Sequence, residues 1–173
     1  KQKSKKVKAF LPATFSIEES NLAIEKHSKT LGASFREGIS VIIPCYKGEC
    51  FIERCLKSIY EQTLSKELFE VLIVLNGSED RSSDLINEFV ENNTGLNIQL
   101  FKLNEANCSA ARNYALAHIT KEYCVNLDVD DELSPNYLYN LYSSANPNTV
   151  VFSNLKDCYY GNSENSPITD KIL

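Results

Sequence analysis

Three carboxylates, Asp128, Asp130 and Asp131, stand within four residues at the end of a mostly apolar run, 123–127. Acids this close repel one another, so gathering them in a folded chain calls for compensation, and a divalent cation is the simplest source of it. Mg²⁺ or Mn²⁺ prefers one or two carboxylates plus phosphate oxygens over a complete protein cage. The run before them reads as a buried strand, and strand ends are where open α/β sheets hold their ligands. The same residues also suit a polar loop leading into a helix, with Ser134 as N-cap and Pro135 at the first helical position.

The cysteines offer less. They stand at 45, 50, 55, 108, 124 and 158, with no C-x-x-C pair, and Cys55 and Cys124 fall within apolar patterns. Cys45, Cys50 and Cys55 run from a strand end through a loop into a helix, which is poor geometry for one metal ion. Buried, reduced thiols in a cytoplasmic protein are the expectation. A net charge of −5 gives no support to nucleic-acid binding. No window approaches the ~18–20 apolar residues of a membrane span, and no secretory signal is visible. The first residue is lysine rather than methionine, which suggests a piece of something longer.

The elements that must position the acids follow from periodicity. Residues 1–8 carry five lysines and no acid, a solvated start or an electrostatic tether giving peripheral contact with the inner face of a membrane. Residues 16–19 have capping-box spacing, and Ile17, Ile24 and Leu31 recur every seven residues, predicting a helix over 17–31 that Gly32 stops. From Ile39 the pattern alternates. Strands are predicted at 39–44, 69–75, 98–103, 123–127 and 149–153. Helices between them carry Phe51 to Tyr60, Leu85 to Val90, Ala110 to His118, and Tyr137 to Tyr142. Strands apolar on both faces that alternate with helices predict an α/β fold, an open, mostly parallel, doubly wound sheet. The division expected is a basic and helical arm at 1–38, an α/β domain at 39–155 and an irregular tail at 156–173. The loops after strands one, two and four then share the carboxyl edge of the sheet, so Tyr46, Asn76 and the acids at 128–131 can converge on one crevice. The chain has no G-x-G-x-x-G after its first strand and no G-x-x-x-x-G-K-[ST].

Five segments in order give a more specific reading. Ser40-Val41-Ile42-Ile43-Pro44-Cys45-Tyr46-Lys47, Ser58-Ile59-Tyr60-Glu61-Gln62, Val74-Leu75-Asn76-Gly77-Ser78-Glu79-Asp80, Ser109-Ala110-Ala111-Arg112-Asn113 and the D-x-D-D-x-x-x-P run from Asp128 to Pro135 together resemble a family-two glycosyltransferase with the GT-A fold, in its amino-terminal, donor-binding half. The resemblance covers 39–154. It implies that Pro44 and Tyr46 lie beside the base of a nucleotide-diphospho-sugar and that Asn76 faces the base edge. It implies that Arg112 approaches the nucleotide, where its guanidinium fork suits phosphate. Asp128 would hold the ribose or the metal's hydration shell, Asp130 would ligate Mg²⁺ or Mn²⁺, and Glu49 would reach the ribose or remain a solvated loop acid. Asp131 reads equally as a ligand or as a helix N-terminal charge.

The implied activity is transfer of the sugar to an acceptor hydroxyl with inversion, in synthesis of bacterial surface polysaccharide or glycoconjugate, on a glycan or lipid-linked acceptor. Where the family often has two acids after the second strand, this chain has Leu75 and Asn76. An amide both donates and accepts, so a UDP-, dTDP-, CDP- or GDP-linked donor stays open. Asn107-Cys108 stands where a glycine is common and should stiffen that loop. No second acidic motif follows Leu155, and His27 and His118 do not replace it, His118 reading as a core or helix-end histidine. The general base is therefore expected beyond Leu173. The rival reading is a non-catalytic module that binds nucleotide or a partner protein.

Overall fold

The computed structural model describes residues 35–77, 79–104, 106–146 and 150–151 of the 173-residue chain. The elements are β1 (Arg36–Cys45), α1 (Ile52–Tyr60), β2 (Phe69–Asn76), α2 (Ser82–Asn92), β3 (Ile98–Leu103), α3 (Cys108–Leu116), β4 (Lys121–Asn126) and α4 (Tyr137–Ser144), with one 3₁₀ turn at Lys66–Leu68. The strands form one sheet in the order β3-β2-β1-β4, and every pair is parallel. The predicted fold class and first four strands are as expected from the sequence.

Branched side chains on β1 and β2 explain why these two strands take the centre. From Gly38 to Cys45 and from Phe69 to Asn76 every residue is buried. On one face Val41, Ile43 and Ile73 pack with Ile52, Leu56 and Ile59 of α1, Ile86 of α2 and Leu138 of α4. On the other, Ile42, Leu72 and Val74 meet Ala111 and Ala115 of α3, small residues that let the helix lie close. Helices on both faces of a parallel sheet make it doubly wound. Each such aliphatic side chain contributes about 1.5–3 kcal/mol on burial, so this double layer carries the fold.

The amino edge of the sheet is closed by a buried polar cluster. Glu70 lies fully inside and accepts from Ser40 Oγ at 2.7 Å, Thr120 N at 2.6 Å and Thr120 Oγ1 at 2.8 Å. A buried carboxylate is tolerable only when paired in this way. Its place is opposite the loops that carry the acids, so it belongs to the scaffold.

Several expectations need correction. β4 is not buried on both faces: Glu122, Cys124 and Asn126 are exposed while Tyr123 and Val125 are half-buried. The reason is lateral, since β4 is an edge of the described sheet and α3 packs over β1 and β2. Among the described cysteines Cys45 and Cys55 are buried, while Cys50, Cys108 and Cys124 are exposed. The last helix begins at Tyr137 with Asn136 at its cap, so neither Ser134 nor Pro135 takes the predicted position. Ser134 instead uses its carbonyl to accept from Tyr137 N at 2.9 Å. His118 lies just beyond α3, exposed, its ring stacked on Tyr114. The predicted helix at 17–31, the lysine-rich start, Cys158 and the tail lie outside the described residues. So does most of the predicted fifth strand, whose described residues Val150 and Val151 belong to no regular element. Among the described residues no helix is long and apolar enough to cross a membrane.

Burial separates the thiols chemically. The Cys55 thiol is pushed up to about 12, by desolvation first and then by the charges of neighbouring groups including Asp131. Burial also raises Cys45, with the Ser82 hydroxyl and Gly48 backbone partly opposing it. Because the thiolate is the reactive form, iodoacetamide at pH 8 should alkylate Cys50 and Cys108 in the folded chain and spare Cys45 and Cys55. Peptide mapping by mass spectrometry reads the result. Rapid labelling of Cys55 under native conditions would contradict the packing described.

Candidate functional site

The carboxyl edge of the sheet splits between β1 and β4. Pairing of β1 with β2 continues to Cys45 opposite Leu75, but pairing with β4 ends at Ile42 opposite Asn126. The last link is Leu127 N donating to Ile42 O at 2.9 Å. Backbone groups of alternate residues face the same neighbour in a parallel strand, so Pro44 would next address β4. Proline has no N–H to offer, and the strands part there. Pro44 itself is buried, at the point where β1 parts from β4.

Three loops pack around this opening. In the first, Tyr46 is 46% exposed, an accessible ring directly after β1. Gly48 follows, and a Cβ there would sit 2.6 Å from Cys45 Sγ and 2.9 Å from Val129 Cγ2. Only a glycine lets the β1 loop seat against the acidic turn. Its carbonyl accepts from Phe51 N and Ile52 N, each at 2.9 Å, which starts α1.

The second loop is tied to the first by two acids. Asp80 accepts from Glu49 N at 3.2 Å and Ser82 Oγ at 2.8 Å, while Glu49 Oε2 accepts from Arg81 N at 3.2 Å. The Glu49 carboxylate is thereby engaged in bracing the loop. Asn76 closes β2 and is only 3% exposed.

The third is the acidic turn. Asp131 N donates to Asp128 O at 3.0 Å, closing it. Val129 points inward against the core, and Asp128, Asp130 and Asp131 are exposed. Asp128 Oδ1 pairs with Arg112 Nη2 at 2.6 Å. The Asp131 carboxyl is held above the ordinary carboxylate range, by partial burial first and then by the charges of Asp130 and Asp128. Arg112 reaches this turn from α3, whose first turn is capped by Asn107 Oδ1 accepting from Ala110 N at 2.9 Å. The residue that departs from the expected glycine thus does a helix-capping job.

Among the described residues, two buried side-chain polar atoms have no hydrogen-bond partner: Asn76 Oδ1 and Arg112 Nε. Leaving a buried polar atom unpaired costs about 1–3 kcal/mol, and both atoms carry that cost at this edge of the sheet. No group of three or more His, Cys, Asp or Glu side chains among the described residues is arranged to hold a metal alone. Hard carboxylate oxygens on an exposed turn nevertheless fit a cation that takes its other ligands from phosphate and water.

Ser58 and Gln62 were singled out in the sequence without a role. The structure gives them one: Ser58, in the last turn of α1, and Gln62, two residues past its end, hydrogen-bond the segment that follows the acidic turn. Their i, i+4 spacing on a predicted helix was the available signal; the partner segment was not.

Comparison with known proteins came down on one family. Residues 40–171 match the model described as Glycosyl transferase family 2. A poly(ribitol-phosphate) beta-glucosyltransferase of Bacillus spizizenii is 31% identical over 120 residues, which is 68% of this chain and 19% of that protein. S. aureus TarS 1–349 in complex with UDP superposes with a TM-score of 0.57 at 27% identity, covering 61% of this chain and 31% of that one. The mannosyltransferase PcManGT from Pyrobaculum calidifontis, in complex with GDP-Man and Mn²⁺, gives 0.53 at 26%, covering 65% and 35%. The chain thus spans about a fifth of the length of the curated relative. The sheet order and helix placement described above are those of the GT-A type.

The Gly48 contact supplies a direct test of loop packing. Gly48→Ala must displace Val129 or Cys45, and overpacking of this kind costs about 1–3 kcal/mol. Urea unfolding should show that loss. An unchanged midpoint would mean the first and third loops are not in contact.

Proposed function

Since the chain belongs to glycosyl transferase family 2, we propose that residues 39–155 form the donor-binding domain of a transferase that moves a sugar from a nucleotide diphosphate to an acceptor hydroxyl with inversion. The observation that carries this reading is the pairing of two unsatisfied buried atoms, on Asn76 and Arg112, with an acidic turn on the same sheet edge. Base, phosphate and metal each find a matching group there.

On this reading the exposed Tyr46 ring is the platform on which the base stacks, and the Asn76 amide meets its edge. Arg112 is already oriented by Asp128 through one terminal nitrogen, which leaves the rest of its guanidinium for the diphosphate. Asp128 keeps its second oxygen for a ribose hydroxyl or a hydrated metal. Asp130, with Asp128, would hold Mg²⁺ or Mn²⁺. The cation would neutralise charge developing on the departing diphosphate. Pro44 keeps the edge open, and Glu49 braces the loop beneath Tyr46. No described residue is assigned as the base that deprotonates the acceptor, a role that typically contributes ~10²–10⁴-fold.

The UDP complex of one similar structure and the GDP-Man and Mn²⁺ complex of another support a nucleotide-linked donor and a divalent metal. The poly(ribitol-phosphate) relative supports a bacterial surface polymer as the setting, with a glycan or lipid-linked acceptor.

Calorimetry with UDP, dTDP, CDP and GDP in the presence of Mn²⁺ tests the donor site. At least one should bind, and Asp130→Ala should abolish the Mn²⁺-dependent part. Arg112→Lys, which keeps the charge but loses the fork, should weaken the same nucleotide. Binding of none of the four by folded chain would overturn the reading.

A further inference from the structure

α1 ends against the segment that leaves the acidic turn. Ser58 and Gln62, one helical turn apart, are both buried. Ser58 Oγ donates to Cys55 O at 2.7 Å and accepts from Leu133 N at 3.0 Å. Both N–H groups of the Gln62 amide and its oxygen are engaged. Its Nε2 donates to Ser58 O at 3.0 Å and to Ser134 O at 2.8 Å, and its Oε1 accepts from Leu138 N at 2.9 Å. The last bond matters because Asn136, at the start of α4, makes no side-chain cap. Gln62, two residues beyond the end of α1, supplies that acceptor instead. Thr63 N adds a donation to Pro135 O at 2.9 Å.

The turn is therefore suspended between two anchors. Upstream, Leu127 N is held by Ile42 O; downstream, Leu133 N is held by Ser58 Oγ. Between them the Asp131 N to Asp128 O bond is an internal closure, Val129 packs against Gly48 and Asp128 pairs with Arg112, while the mutual repulsion of the exposed carboxylates works against the turn. We infer that Ser58 and Gln62 are positioning residues for the acidic turn, fixing the main chain at 133, 134 and 138 so that Asp128 and Asp130 meet a metal–diphosphate at set reach. This inference rests on the donor-site reading of the same turn. An apolar side chain at 62 could fill the space, but it would leave Leu138 N–H without its acceptor and Ser134 O with only its bond from Tyr137 N.

The test uses the full chain, with UDP and Mn²⁺ as probes, and compares wild type with Gln62→Leu, Ser58→Ala and Gln62→Glu. The last keeps an acceptor for Leu138 N and loses the donor to Ser134 O. Two readouts are taken well below the melting temperature: amide exchange across 128–138, and UDP affinity with Mn²⁺ against UDP affinity in EDTA. In Gln62→Leu the Leu133 and Leu138 amides should exchange faster while β1 and β2 stay protected. The Mn²⁺-dependent gain in UDP affinity should fall about 10–100-fold, as for other groups that orient metal ligands, with affinity in EDTA unchanged. Ser58→Ala should do the same at Leu133, and Gln62→Glu should fall between wild type and Gln62→Leu. Faster exchange with an unaltered Mn²⁺-dependent gain, or equal loss with and without Mn²⁺, would overturn the positioning role while leaving the donor site standing. Absence of any Mn²⁺-dependent binding by folded wild type would overturn the donor site itself, and this inference with it.

Discussion

Like-charge crowding at the acidic turn is the constraint around which this domain is arranged. Asp128, Asp130 and Asp131 repel in the folded chain, and the effect is visible at Asp131, whose carboxyl is raised by burial and by its two neighbours. Arg54 pairs with Glu132 beside the turn, and Arg112 engages Asp128. An ion pair as exposed as this contributes only about 0.2–1 kcal/mol, too little to hold the turn. Main-chain anchoring does that instead, through Ile42 on one side and Ser58 with Gln62 on the other. The inward Val129 adds a third fixed point against Gly48.

The sheet makes such an arrangement affordable. β1 and β2 are buried along nearly their whole length and pack helices on both faces. A core of that kind can carry the unpaired atoms on Asn76 and Arg112, each costing about 1–3 kcal/mol. The parting of β1 from β4 beyond Ile42 then sets those atoms, an exposed aromatic ring and the acids on one edge. Scaffold and site occupy opposite ends of the sheet: Glu70 and Thr120 close the amino edge with satisfied hydrogen bonds, and the carboxyl edge keeps its unsatisfied ones.

Much of this was legible in the sequence because it depends on local pattern. The runs at 39–44 and 69–75 could only be buried strands, and the alternation with helices dictated a parallel sheet whose loops share one edge. The acids and the motif residues followed from that placement. What sequence could not supply was lateral context. Whether Cys124 faces helix or solvent depends on how far α3 reaches across the sheet. Ser134-Pro135 has the chemistry of a helix start, yet Gln62 captures the Ser134 carbonyl and the Leu138 amide, and the helix begins at Tyr137. Glu49, which the resemblance offered as a ribose contact or a solvated loop acid, also accepts from Arg81 N through Oε2, a link between loops that no local pattern announces.

Paramagnetic relaxation by Mn²⁺ in the presence of UDP tests the central claim most directly, since it reports where the metal sits without requiring turnover. In amide-resolved NMR spectra of the full chain, broadening should centre on 128–131. It should extend to Gly48 of the adjacent loop and to Asn126 at the end of β4, and spare the Glu70 and Thr120 edge. Broadening centred away from the turn, or spread evenly over the surface acids, would contradict the account.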